Sequence, residues 1–130
     1  DGILLRFNKV SNEITYAASN NHPVIVSKNQ MIHLPCDKMP VGKGEKVDEF
    51  TLQTINTSKG DMIYLYTDGY ADQFGGPKGK KFKYKPLNDL LLSFNNENLS
   101  NQKNILESTF TNWKGNLEQV DDVLVIGVRV

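Results

Sequence analysis

Apolar residues recur along this chain with two different periods, and the change falls near Pro86. Upstream of it, short β-rich runs are punctuated by polar clusters. "ILLRF" and "EITYAAS" read as strands separated by the turn-like "NKVSN". "PVIVS" and "QMIHL" flank Lys28-Asn29, which predicts a tight hairpin. In "DEFTLQTI" the positions Phe50, Leu52 and Ile55 alternate imperfectly, predicting a half-buried strand. The preceding "PCDKMPVGKGEK", with two prolines and two glycines, predicts a loop. Lys59-Gly60-Asp61 is the next predicted turn. It launches "MIYLYT", apolar at nearly every position as in a strand covered on both faces.

Downstream the period lengthens. Pro86 suits a helix start, where its missing N–H is not needed. Leu87, Leu90, Leu91 and Phe94 then fall at i, i+3, i+4 and i+7, one helical face. Ser100 is a candidate N-cap for a second helix. That helix has the stripe Ile105, Leu106, Thr109, Phe110 and Trp113, with Gly115 as the stop. The closing "DDVLVIGVRV" is β-branched and almost continuously apolar, a strand that opens on two acids. Strands, two helices and a final strand predict an α+β fold with antiparallel pairing.

The 130 residues suffice for one domain with a real core. With 38% hydrophobic and 23% charged residues the composition is that of a folded globular chain, not a disordered one. No stretch approaches the ~18 apolar residues of a membrane span, and no secretory signal opens the sequence. The lone Cys36 excludes an internal disulfide and fits a reducing compartment. Fifteen basic and fifteen acidic residues cancel, which argues against a general nucleic-acid or anionic-membrane binder. Charge does cluster in "KGKKFKYK", readable as a solvated loop or as a holder of a phosphorylated or acidic partner. The abrupt Asp1-Gly2 opening suggests a piece of a longer polypeptide.

The chemistry concentrates at two acidic strand ends. Asp68 follows one strand, and Asp121-Asp122 precede another. Neighbouring strands lie ~4.8 Å apart, so antiparallel neighbours would bring these carboxylates to one sheet edge, where they could share a divalent cation. Mg²⁺ and Mn²⁺ favour such oxygen ligands, completed by water. Gly69 would permit a sharp turn away and leave room for a hydration shell. Asp-Gly is equally a common turn pair, and Asp before a strand a common loop residue. The pattern alone leaves both readings open.

"GDMIYLYTDGYADQ", followed by two helical stretches and "DDVLVIGVRV", resembles the carboxy-terminal half of SpoIIE-type serine phosphatases of the metal-dependent type-2C (PPM) superfamily. "ITYAASNNHPVIV" resembles that family's Tyr-Ala stretch, polar turn and His-Pro before an apolar strand, and "MPVGKGEK" its proline-anchored glycine loop. Each motif is weak singly, but together they follow the family order over about residues 13 to 130. The resemblance implies part of an α-β-β-α sandwich, with Asp68 and Asp121 as metal ligands and Gly69 and Asp122 as supporting residues. It implies a Mn²⁺ or Mg²⁺ pair activating a water for attack on phosphorus. The substrate implied is phosphoserine or phosphothreonine on a regulatory protein, in a bacterial, cytoplasmic signalling protein with an upstream sensor domain. It implies no nucleic acid and no membrane contact by this domain, and it leaves room for a dimer.

The departures are specific. The family's acid followed by Gly, a variable residue and Gly-His-Gly is absent, since Asp-Gly occurs only at Asp1-Gly2 and Asp68-Gly69. An earlier acidic ligand is missing too, and a family Phe-Gly gives way to "KFKYKPL". The expectation is therefore a single domain, residues 1–130, truncated at its N-terminus, with an incomplete two-metal site and little activity alone. A catalytically inactive, partner-binding or dimerising module of the same family is the alternative, followed by an unrelated small β-rich binding domain.

Other features carry less. In "GGPKGKK" three residues separate Gly75 from Gly79, where a phosphate loop needs four and then a hydroxyl residue after Gly-Lys. His22, His33 and Cys36 lack the spacing of a zinc site and read as a turn histidine, a strand histidine and a thiol with no evident base partner. Phe110 and Trp113 are expected in the core.

Overall fold

The alternation in Glu13–Ser19 buries Ile14, Tyr16 and Ala18 on one face, and two sheets form around that face. The computed structural model describes residues 1–46 and 48–130. In chain order its elements are β1 (Gly2–Asn8), β2 (Glu13–Ser19), β3 (Val24–Ser27), β4 (Gln30–His33), β5 (Gln53–Asn56), β6 (Met62–Tyr66), α1 (Gly69–Asp72), β7 (Phe74–Gly75), β8 (Lys80–Lys81), α2 (Tyr84–Ser93), α3 (Leu99–Lys114) and β9 (Val125–Arg129). They divide into two compact units, Asp1–Leu65 with Ile126–Val130, and Tyr66–Val125. Among the described residues no helix is long and apolar enough to cross a membrane.

The first unit holds sheets of order β1-β2-β5 and β4-β3-β6-β9. Residues of both share one core, in which Ile14, Tyr16 and Ala18 meet Ile25, Leu34 and Ile63. The β3–β4 hairpin turns at Lys28 (φ 49°) and Asn29 (φ 59°), the paired positive φ values of the turn that matches strand twist. The strand expected across "DEFTLQTI" is confined to Gln53–Asn56, and Leu52 is 72% exposed. The cause lies on β2. Its edge pairs with β5 only from Glu13 to Tyr16. Beyond that, Ala18 O accepts from Asp37 N–H (2.9 Å) and Asn20 N–H donates to Asp37 O (2.9 Å). The Asp37 carboxylate also takes both the N–H and the hydroxyl of Thr51, ending any ladder there.

Met62, Ile63, Tyr64 and Tyr66 of β6 are buried, as expected of a central strand. β9 lies at the end of its sheet, where Ile126 and Val128 remain exposed. Gly60 N–H donates to Val130 O (2.8 Å) and Val130 N–H to Asp61 O (3.0 Å), which fastens the C-terminus.

In the second unit α2 buries Leu87 and Leu91 from the expected stripe, with Phe94 at its end. The helix begins two residues before Pro86, which still falls in the first turn where a missing N–H costs nothing. α3 is capped by Asn98, not by Ser100. The Asn98 side chain accepts from Asn101 N–H (2.8 Å), so Ser100 sits inside the helix. Gly115 (φ 54°) ends α3 as expected. Trp113 meets Phe82 edge-on at 5.3 Å and lies against Gly75 and Gly76, while Tyr70 contacts Phe82 and Phe110 at 5.1 Å each.

Lys83, just before α2, has φ 77° and ψ 157°, a region that only glycine occupies freely. Its N–H donates to Ala71 O (2.7 Å), which helps to hold the conformation. Strain of ~1–3 kcal/mol there exceeds the ~0.5–1 kcal/mol entropic cost of glycine. Lys83→Gly is thus expected to stabilise the protein by about 1 kcal/mol in urea unfolding.

Candidate metal centre

Where β6 ends, Thr67 bonds to the segment that precedes β9. Its N–H donates to Leu124 O (3.0 Å), and its Oγ1 donates to Asp122 O (2.8 Å) while accepting from Leu124 N–H (3.0 Å). The acids were expected to open the strand. In fact 121–124 are irregular and β9 starts at Val125, because the Thr67 hydroxyl takes backbone groups that a ladder would otherwise pair.

Gly69 reinforces this seam. A Cβ there would lie 2.4 Å from Asp122 O and 2.9 Å from its carbonyl carbon. The expectation of a sharp turn at Gly69 is corrected: its φ is not positive, and it opens the one-turn helix α1. What requires glycine is the close approach of another backbone.

Asp68 therefore stands between two residues held against Asp122–Leu124. It occupies the N-cap of α1 without a side-chain cap bond, and it is exposed. Asp121 and Asp122 are exposed as well, and Asp121 Oδ1 accepts from Asp122 N–H (2.7 Å). Among the described residues the carboxylates of Asp68 and Asp122 make no hydrogen bond or ion pair. Asp72 is occupied by Lys81 Nζ at 3.0 Å. Tyr84 feels this cluster, its phenol pushed up first by burial and then by the charges of Asp68 and Asp72. Burial alone pushes Tyr70 up to about 12.

Two oxygen-donor side chains, Asp68 and Asp121, suit a hard divalent cation. Among the described residues no group of three or more His, Cys, Asp or Glu could hold a metal ion. A Mn²⁺ or Mg²⁺ site built on Asp68 and Asp121 would need further ligands.

The lysine run spans the turn before β8, β8 itself and the first residues of α2. Lys81 and Lys85 are ion-paired, with Asp72 and Asp89, while Lys78, Lys80 and Lys83 are exposed. In the first unit, the expectation that Cys36 lacks a base partner is corrected. Cys36 Sγ lies 3.4 Å from His22 Nε2, and His22 Nδ1 is 2.8 Å from Leu34 O. The turn brings these together across fourteen positions, a pairing that spacing did not reveal.

Sequence reasoning also missed Thr67 and Gln73. Thr67 bonds a segment 55 positions away, and its place at a strand end does not point to that partner. Gln73 carried no signal beyond being an amide between apolar segments.

The stage II sporulation protein E (SpoIIE) family model matches residues 2–130. No curated protein matches the chain by sequence. Among solved structures the chain is similar to the SiaA-PP2C domain of Pseudomonas aeruginosa, with TM-score 0.87, 21% identity, and coverage of 98% of this chain and 50% of that one. It is similar to the manganese-presoaked phosphatase domain of SpoIIE from Bacillus subtilis, with TM-score 0.73, 14% identity, and coverage of 99% and 55%. It is also similar to the Mycobacterium tuberculosis serine/threonine phosphatase PstP/Ppp, with TM-score 0.58, 13% identity, and coverage of 95% and 56%. These likenesses establish the α+β type-2C phosphatase fold. The chain spans about half the length of each of these solved chains.

Proposed function

The chain belongs to the stage II sporulation protein E (SpoIIE) family, and from that premise we propose that it forms part of a metal-dependent protein serine/threonine phosphatase. In the intact protein Asp68 and Asp121 would hold Mn²⁺ or Mg²⁺, with the remaining ligands supplied by other residues of the same domain. The observation that supports this reading is the backbone seam between Thr67–Gly69 and Asp122–Leu124, which joins the segments that carry Asp68 and Asp121. When bound, the cation supplies an acidified water and offsets charge on phosphoryl oxygens. Thr67 and Gly69 fix the backbone that presents the two carboxylates, and Lys81 neutralises Asp72, so less unpaired negative charge surrounds Asp68. The substrate class is phosphoserine or phosphothreonine on a regulatory protein, with a sensor domain in the same chain and a cytoplasmic setting. Assay of the intact protein on a phosphoserine protein is expected to show turnover that requires Mn²⁺; turnover unaffected by chelation refutes the assignment.

A second reading is a module that binds a partner or dimerises without chemistry; a domain whose acid before the Gly-His-Gly motif is replaced would favour it. It predicts no Mn²⁺ uptake by the intact protein.

A further inference from the structure

Gln73 is fully buried at the end of α1, yet both polar groups of its side chain are used. Its Nε2 donates to Glu118 O (2.8 Å) and to Phe74 O (3.0 Å), and its Oε1 accepts from Val120 N–H (3.4 Å). Its backbone O accepts from Trp113 Nε1 (3.0 Å) and from Phe82 N–H (3.0 Å), which pins the residue to the aromatic cluster. The segment it grips ends one residue before Asp121. The Thr67 clamp starts one residue after it, at Asp122. Asp121 is thus the single residue between two grips, one from just before α1 and one from its end. Asp68 stands at the entry of α1 and Gln73 at its exit.

We propose that Gln73 is a positioning residue that sets where Asp121 stands relative to Asp68, and through that the affinity of the site for its divalent cation. The proposal rests on the metal-site reading above. An amide is suited to the task because it donates to one backbone group and accepts from another two residues along. An apolar side chain would leave Glu118 O and Val120 N–H unpaired, free to draw the Asp121 segment towards solvent.

The test compares Gln73→Met with Gln102→Met in the intact protein. Gln102 is also a buried glutamine, bonded to the backbone carbonyls of Asn95 (3.2 Å) and Glu97 (2.9 Å) in the segment that leads into α3. Mn²⁺ binding is read by electron paramagnetic resonance of the free ion and by the Mn²⁺ concentration giving half-maximal turnover. Trp113 fluorescence reports folding. Gln73→Met is expected to weaken Mn²⁺ binding roughly tenfold or more, the range typical of residues behind metal ligands. Turnover at saturating Mn²⁺ should change far less, and Gln102→Met should leave Mn²⁺ affinity as it was. A folded Gln73→Met protein with unaltered Mn²⁺ affinity, or equal losses in both variants, overturns the proposal while Mn²⁺-dependent turnover of the unmodified protein leaves the underlying reading standing. An unmodified protein that takes up no Mn²⁺ ends both. If Gln73→Met does not fold, Gln73→Asn, whose amide is one methylene short of the same partners, is read in its place.

Discussion

Asp68→Asn is expected to lower Mn²⁺-dependent turnover of the intact protein by roughly 100-fold or more, since even residues one shell behind a metal ligand cost 10–100-fold. The substitution keeps the size of the side chain and removes its charge. Asp68 is exposed, makes no cap bond to α1, and its carboxylate has no protein partner among the described residues. Stability should therefore move by no more than ~0.5 kcal/mol, as for surface changes away from structural features. Loss of activity with an unchanged urea midpoint would separate a ligand from a structural carboxylate. Asp72→Asn provides the contrast, because that acid is held by Lys81. Undiminished turnover in Asp68→Asn would remove Asp68 from the site.

What could be read in advance was local. The Lys28-Asn29 turn needs only two residues able to adopt positive φ, and both do so. The Leu87/Leu91 face of α2 follows from spacing alone. The SpoIIE family could be read from motifs in their order, each short enough to survive at low overall identity. The misreadings occurred where distant segments compete for the same backbone groups. Phe50 and Leu52 alternate as a strand should, but Asp37 captures the β2 edge and the Thr51 backbone before they can pair. Ser100 and Asn98 are both good caps, and only the path of the chain into α3 selects Asn98.

The acidic edge divides the same way. That Asp68 and the 121–122 pair end and precede apolar runs is visible in the sequence. That Thr67 reaches across 55 positions to Asp122 is not, because a threonine hydroxyl has no partner signal of its own. Gln73 is the extreme case. Its side chain bridges 45 positions to Glu118, and nothing in its neighbours marks it as buried. The Cys36–His22 approach escaped notice for the same reason.

Gly69→Ala sets two opposite effects against each other. At a helical position with ordinary φ, alanine should be better than glycine by roughly 0.5–1 kcal/mol. The added Cβ, however, would sit 2.4 Å from Asp122 O and 2.9 Å from its carbonyl carbon, both backbone atoms that no side-chain rotation can clear. Overpacking of this kind costs ~1–3 kcal/mol. Relief by moving Asp122 would stretch its 2.8 Å bond from Thr67 Oγ1 and displace the residue next to Asp121. The steric cost is therefore expected to win, with a net loss of about 2 kcal/mol in urea unfolding. Mn²⁺ affinity should fall with it, by ~10-fold or more, because the two proposed ligands would be pushed apart. Recovery of affinity in Gly69→Ser is not expected, since any Cβ meets the same carbonyl. A neutral or stabilising Gly69→Ala would mean that the two segments are not in contact at Gly69. With that contact gone, the proposal that Asp68 and Asp121 share a cation would lose its main geometric support.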